Sequence, residues 1–243
     1  MAAPAVAAPA GPAGRRAGLR ERIAEAGAVA LVVSSRASVR WLTGFTGSAG
    51  MLVVGAESGD VLITDGRYDT QARAEVDAGV EVQISGDGPW TAARERLAGS
   101  PRVLAESEHV SAAAWEEWRE AEGPPLEAVR GWVEELRAVK SPAELAAIRR
   151  AGAVVSEAFE ALLPSIRPGV VERELALEMD RLLIGHGSER PAFETIVAFG
   201  DHAAFPHARP GGRRRAAGEV VLVDCGAGVD GYCSDMTRTV ALG

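Results

Sequence analysis

Val220-Val221-Leu222-Val223-Asp224-Cys225-Gly226, followed after a short gap by Gly231-Tyr232-Cys233-Ser234-Asp235-Met236-Thr237-Arg238-Thr239, is the stretch that decides how this chain is read. The first segment is an apolar, β-branched run ending on a carboxylate; the second alternates and carries a carboxylate at Asp235. Between them Gly228-Val229-Asp230-Gly231 has the composition of a turn joining antiparallel strands. A turn centred between Val229 and Asp230 places Asp224 directly opposite Asp235, and directly opposed side chains have Cβ atoms about 4.5–5.5 Å apart. Two ionised carboxylates that close repel. A pair of divalent metal ions, themselves roughly 3.5–4 Å apart, would compensate. Aspartates near hairpin turns are otherwise solvated or bonded to local backbone N–H groups. The setting of Asp224 favours metal, because it follows four consecutive apolar residues, where an unpaired charge is costly.

Working outward, 243 residues accommodate one large domain or two small ones. With 47% hydrophobic and 25% charged residues the composition is that of a globular protein with a real core. A net charge of -8 argues against a general nucleic-acid surface, and no apolar run approaches a bilayer span, so neither nucleic acid nor membrane is an expected partner. The Ala/Pro-rich start lacks the basic opening and continuous apolar core of a secretion signal; it predicts a disordered leader over residues 1–14. Cys225 and Cys233 are the only cysteines, and strand alternation sends them to opposite faces. Two free thiols in a reducing compartment, and a cytoplasmic protein, are expected.

Helical and strand patterns alternate from residue 15 to about 130, which reads as a compact α/β domain. Helices are predicted over residues 15–26, 65–76, 90–97 and 111–121, and strands over 28–33, 51–54, 61–64, 80–84 and 103–106. Trp115 and Trp118, three apart on one helix face, are expected in the core. A boundary near residues 137–140 separates domains at 15–136 and 137–243. Ser141-Pro142-Ala143-Glu144 then has the form of a capped helix start. Its stripe is expected to run through Leu145, Ile148, Ala151, Val155, Phe159 and Leu162. A second helix over 171–184 and a strand over 193–199 lead into a loop holding His202 and His207. His109 and His186 sit beside polar or turn residues and are expected to be solvated, as is the Arg213-Arg214-Arg215 turn.

Several of these stretches resemble one known family. Arg40-Trp41-Leu42-Thr43-Gly44-Phe45-Thr46-Gly47-Ser48-Ala49-Gly50, Thr64-Asp65-Gly66-Arg67-Tyr68 and the Lys140-Ser141-Pro142 helix start resemble the creatinase-type N-terminal domain and linker. Phe193-Glu194-Thr195-Ile196-Val197-Ala198, then Pro206-His207, then the Asp224 and Asp235 segments quoted above, resemble the pita-bread metallopeptidases. The combination is most similar to Xaa-Pro aminopeptidases and their prolidase relatives.

The resemblance implies a mixed α/β (α+β) chain, with a creatinase-like N-terminal domain followed by the first half of a pita-bread catalytic domain. It implies a dinuclear site, usually manganese, that polarises a scissile carbonyl and generates hydroxide. The family's first two metal ligands fall on Asp224 and Asp235, and its active-site histidine on His207. Hard oxygen ligands agree with manganese or magnesium, and histidine suits proton transfer near neutral pH. Thr237, on the strand face of Asp235, is expected to orient that carboxylate. The implied substrates are peptides with proline in second position, handled by a homodimer. A prolidase cleaving Xaa-Pro dipeptides and a non-catalytic peptide- or protein-binding homologue are the alternatives. The family's other ligands, a histidine and two glutamates, come from the second half of its catalytic domain, and no His or Glu follows Asp235 here. The chain is therefore expected to be C-terminally incomplete and inactive by itself. It also carries Ala208 where the family usually has glycine after the histidine.

Overall fold

The computed structural model describes residues 11–57 and 59–241, so most of the expected leader lies outside the described residues. The chain divides into two compact units, Met1–Ser141 and Pro142–Gly243.

The N-terminal unit runs α1 (Gly11–Glu25), β1 (Ala30–Val33), α2 (Arg36–Thr43), β2 (Met51–Gly55), β3 (Asp60–Thr64), α3 (Asp69–Glu75), β4 (Val80–Ile84), α4 (Pro89–Arg96), β5 (Val103–Glu106), α5 (Ala112–Glu120), β6 (Leu126–Val129) and α6 (Trp132–Ala138). The strands form one sheet in the order β4-β3-β2-β1-β5-β6. β1, β2 and β3 pair antiparallel, whereas β3–β4, β1–β5 and β5–β6 are parallel. Leu19, Ile23, Leu42 and Val133 cover one face, and Ala93, Leu97 and Trp118 the other. Sheets covered on both faces need continuous apolar strands, which is why β1, β2, β3 and β5 are buried throughout.

Helix α1 starts inside the segment expected to be disordered. Two buried arginines tie it down: Arg15 donates to Trp41 O at 2.7 Å and stacks on that ring, and Arg16 pairs with Asp60 at 2.8 Å and Asp77 at 2.9 Å. Helix α2, unanticipated from the pattern, is capped by the Ser35 side chain and stopped by Gly44 at φ 85°. β6 and α6 were likewise unanticipated. Trp118 is buried as expected; its indole N–H donates to Pro124 O at 2.8 Å.

The second unit runs α7 (Pro142–Leu162), α8 (Glu172–Gly185), β7 (Arg190–Pro191), β8 (Ile196–Phe199), β9 (Val220–Cys225), β10 (Ala227–Val229), β11 (Tyr232–Cys233) and β12 (Met236–Ala241). Two three-stranded antiparallel sheets result, β11-β10-β7 and β12-β9-β8. One long hairpin serves both, because β9 continues into β10 through Gly226 and β11 into β12 through Ser234 and Asp235. The core packs Val155, Leu162, Leu175, Met179 and Leu183 against Val197, Phe199, Val221, Val223 and Cys225.

The buried stripe of α7 differs from the expected one. It runs through Glu144, Ala147, Ala151, Val155, Ala158 and Leu162, with Leu145 left 40% exposed. Small residues on that line let the hairpin approach closely: Ser234 Oγ donates to Ala151 O at 3.0 Å. Both cysteines are free, Cys225 buried and Cys233 exposed. Among the described residues no helix is long and apolar enough to cross a membrane.

Candidate active site

The hairpin carries the two aspartates, and its turn decides how they meet. Asp230 and Gly231 have φ of 51° and 81°, the two positive values of a type I′ turn, and Val229 pairs with Tyr232. A β-branched residue such as Val229 cannot take the left-handed conformation cheaply, whereas Asp-Gly is a favoured dipeptide for it. The turn is thus centred one residue later than the sequence reading placed it. That shift moves every cross-strand partner by two and preserves the face. Asp224 lies opposite Thr237, not opposite Asp235. Asp235 is its diagonal neighbour on the same face, a relation that spans roughly 7–8 Å rather than 4.5–5.5 Å. Asp230 is held in turn by Arg150 and by Glu189, which accepts its backbone N–H at 2.9 Å.

Gly226 and Ser234 then fix where Asp235 stands. A Cβ on Gly226 would sit 2.2 Å from the Ser234 carbonyl oxygen, so only glycine lets the strands close at this point. Ser234 N donates to Ala227 O at 2.9 Å, and Ser234 Oγ accepts from Ala227 N at 3.0 Å while donating to helix α7.

Along β9, Val221, Val223 and Cys225 enter the core while Asp224 lies half-buried on the other face. Thr237 Oγ1 donates to Asp224 Oδ1 at 2.7 Å. The threonine therefore orients Asp224, and the expectation that it serves Asp235 is corrected. Asp235 itself is exposed. Among the described residues neither aspartate has an ion-pair partner, which leaves both charges available to a cation. Burial, followed by the charge of Asp224, pushes the Cys225 thiol up to about 12.

His207 is exposed in the loop after a 3-10 turn at Gly200–Ala204. Among the described residues it does not join the two aspartates in a group of three ligands within coordinating reach. The loop is held by a residue the sequence reading passed over. Glu172, fully buried at the start of α8, accepts from Phe199 N at 3.0 Å and Gly211 N at 3.1 Å. Because backbone donors already point at both its oxygens, His202 Nδ1 is the donor in its 2.8 Å contact with Glu172 Oε1. Glu172, His202, Phe205 and Arg213 line a pocket of about 370 Å³ beside that loop. The arginine turn is not simply solvated either: Arg215 is buried, and Arg213 pairs with Glu219 at 2.7 Å. The only sequence signal for Glu172 was an acidic residue in a first helical turn, which is common without such a role.

Two carboxylates on one sheet face, one of them oriented by a hydroxyl, are a donor set for hard divalent cations. They fill only part of the shell of about six oxygens that each such ion takes.

The model of the creatinase/prolidase N-terminal domain matches residues 15–139, and that of metallopeptidase family M24 matches residues 146–243. The uncharacterized peptidase YqhT of Bacillus subtilis (strain 168) is 32% identical over 232 residues, covering 93% of this chain and 64% of that relative. Among solved structures, the Xaa-Pro dipeptidase from Bacillus anthracis superposes with a TM-score of 0.90 at 29% identity, over 96% of this chain and 65% of that one. The X-Pro aminopeptidase from Thermotoga maritima MSB8 gives 0.82 at 30% identity, over 93% and 65%. The chain thus spans 64% to 65% of the length of these relatives. The M24 family uses divalent metals. With a creatinase-type domain followed by part of a pita-bread domain, the chain belongs to the creatinase/prolidase group of metallopeptidase family M24.

Proposed function

We propose that this chain carries the N-terminal domain and the first two metal ligands, Asp224 and Asp235, of a manganese-dependent exopeptidase that releases the N-terminal residue from peptides with proline in second position. The observation that carries the reading is the shared sheet face of Asp224 and Asp235, with Thr237 holding the first. Two manganese ions bound there would polarise the scissile carbonyl and supply hydroxide. Asp224 and Asp235 would hold the ions, Thr237 would keep Asp224 turned toward them, and His207 would bind substrate and move a proton. The alternating burial of β9 sends Val221, Val223 and Cys225 into the core and turns Asp224, together with Val220 and Leu222, to the other face. Two free cysteines fit a reducing cytoplasm, and a homodimer is the expected assembly.

The likeness to the Xaa-Pro dipeptidase from Bacillus anthracis also favours a second reading, that of a prolidase acting on Xaa-Pro dipeptides. One assay separates these. With manganese present, a tripeptide and a dipeptide, each with proline second, are offered to the 243 residues alone and to the same residues within a chain of the relatives' length. Tripeptide cleavage by the longer form only is expected. Dipeptide cleavage alone would favour the prolidase. No cleavage and no manganese binding by the longer form would identify a non-catalytic binding homologue.

A further inference from the structure

We propose that Glu106, His109 and Glu134 in the N-terminal unit form a site for a zinc-class divalent cation, separate from Asp224 and Asp235. One ligand atom from each of the three lies within 4.8 Å of the other two, and this is the sole group of its kind among the described residues. His109 is exposed, as expected, and also has two carboxylates for neighbours.

Glu106 supplies a second, independent observation. It ends β5 and is only 5% exposed. Its Oε2 accepts from Ser34 N at 3.2 Å and Ser35 N at 3.4 Å. Its Oε1 is buried and has no hydrogen-bond partner. A carboxylate oxygen taken out of water without a donor is costly, and a bound cation removes that cost.

The geometry suits a metal better than an ion pair. His109 Nε2 stands 3.4 Å from Glu134 Oε1, long for a hydrogen bond. Two donors each about 2.0–2.2 Å from a tetrahedral zinc lie roughly 3.3–3.5 Å apart. The three ligands are also fixed by separate elements. Glu106 is on β5 and Glu134 in the first turn of α6. His109 sits in the β5–α5 loop, where its N–H donates to Glu106 O and its carbonyl accepts from Ser34 Oγ at 3.2 Å. They meet beyond the carboxyl ends of the parallel pair β1 and β5, from which the chain departs to opposite sides of the sheet. Open α/β sheets characteristically bind ligands at such a crossover. An imidazole with two carboxylates suits zinc and leaves a coordination position for water or a substrate group.

The test is calorimetric titration of Zn²⁺ into the full chain carrying Asp224→Asn and Asp235→Asn, so that the other acidic pair is silent. One zinc equivalent should bind. Adding His109→Ala or Glu106→Gln should weaken that binding on the order of 100-fold or more, beyond the 10–100-fold typical of an outer-shell loss. Co²⁺ in place of zinc should give a visible d–d band that disappears in the same variants. Glu106→Gln keeps an acceptor for Ser34 and Ser35, and Glu134→Gln lies nearer the surface, so at least one variant retains the fold by circular dichroism. Zinc binding that is absent from the natively folded chain, or indifferent to all three substitutions, would overturn the proposal.

Discussion

Thr237 is the residue whose chemistry bears most directly on the candidate site. Its hydroxyl is the hydrogen-bond donor to Asp224, at 2.7 Å. Thr237→Val keeps the shape and removes that donor, and loss of an orienting partner commonly weakens metal affinity about 10–100-fold. We expect a drop of that size in manganese titrations, with Tm nearly unchanged. The cysteines make a second prediction at this scale. With its thiol pushed up to about 12, Cys225 is protonated at neutral and mildly alkaline pH, and it is buried besides, whereas Cys233 is exposed. Iodoacetamide followed by peptide mapping should find Cys233 alkylated and Cys225 spared in the native chain. Equal labelling would contradict the packing of β9. The shared face of Asp224, Asp235 and Thr237 and the opposite faces of the two cysteines were legible in the sequence, because alternation is a local property. The contacts of Glu172 with His202, and of Glu106 with His109 and Glu134, were not legible. Glu172 and His202 lie 30 residues apart, and Glu134 stands 25 residues beyond His109, so no short motif spans either group.

At the scale of elements the hairpin is the informative case. Its existence followed from an apolar run, a turn dipeptide and an alternating return. Its register did not, since a turn moved by one residue moves each partner by two without changing any face. The φ requirement at Asp230-Gly231 resolves that ambiguity. The short elements α2, β6 and α6 escaped because each offers too few turns or alternations to build a periodic signal. The buried stripe of α7 departs from the expected one because alanines, not leucines, mark its closest approach. Gly226 gives the prediction here. Gly226→Ala puts a methyl group against the Ser234 carbonyl, and backbone rather than a flexible side chain must give way. A loss of about 1–3 kcal/mol, as for other overpacked sites, should appear in urea denaturation, together with weaker manganese binding as Asp235 is displaced. Gly212→Ala, where a Cβ meets nothing within 4 Å, is the control and should be close to neutral.

For the molecule as a whole, the N-terminal unit rests on buried arginines as well as on its apolar layers. Arg16, 2% exposed, joins α1 to Asp60 and Asp77. The Gly79 N–H and then the Arg16 guanidinium hold the Asp77 carboxyl below its ordinary value. A carboxylate depressed on folding contributes stability that is present above its unfolded value of about 3.9 and is lost as pH falls through the folded value. Urea midpoints for the wild type and Asp77→Asn should therefore differ near neutrality and converge below about pH 4. A constant difference across that range would contradict the pairing. The central claim concerns the other unit: Asp224 and Asp235 share cations across one sheet face. Manganese titration of the wild type, Asp224→Asn, Asp235→Asn and the double variant tests it most directly. If the two act together, each single substitution should remove most of the binding attributable to this face, and the double variant should lose little more. Independent, additive losses, or an Asp235→Asn variant that binds manganese like the wild type, would contradict the account.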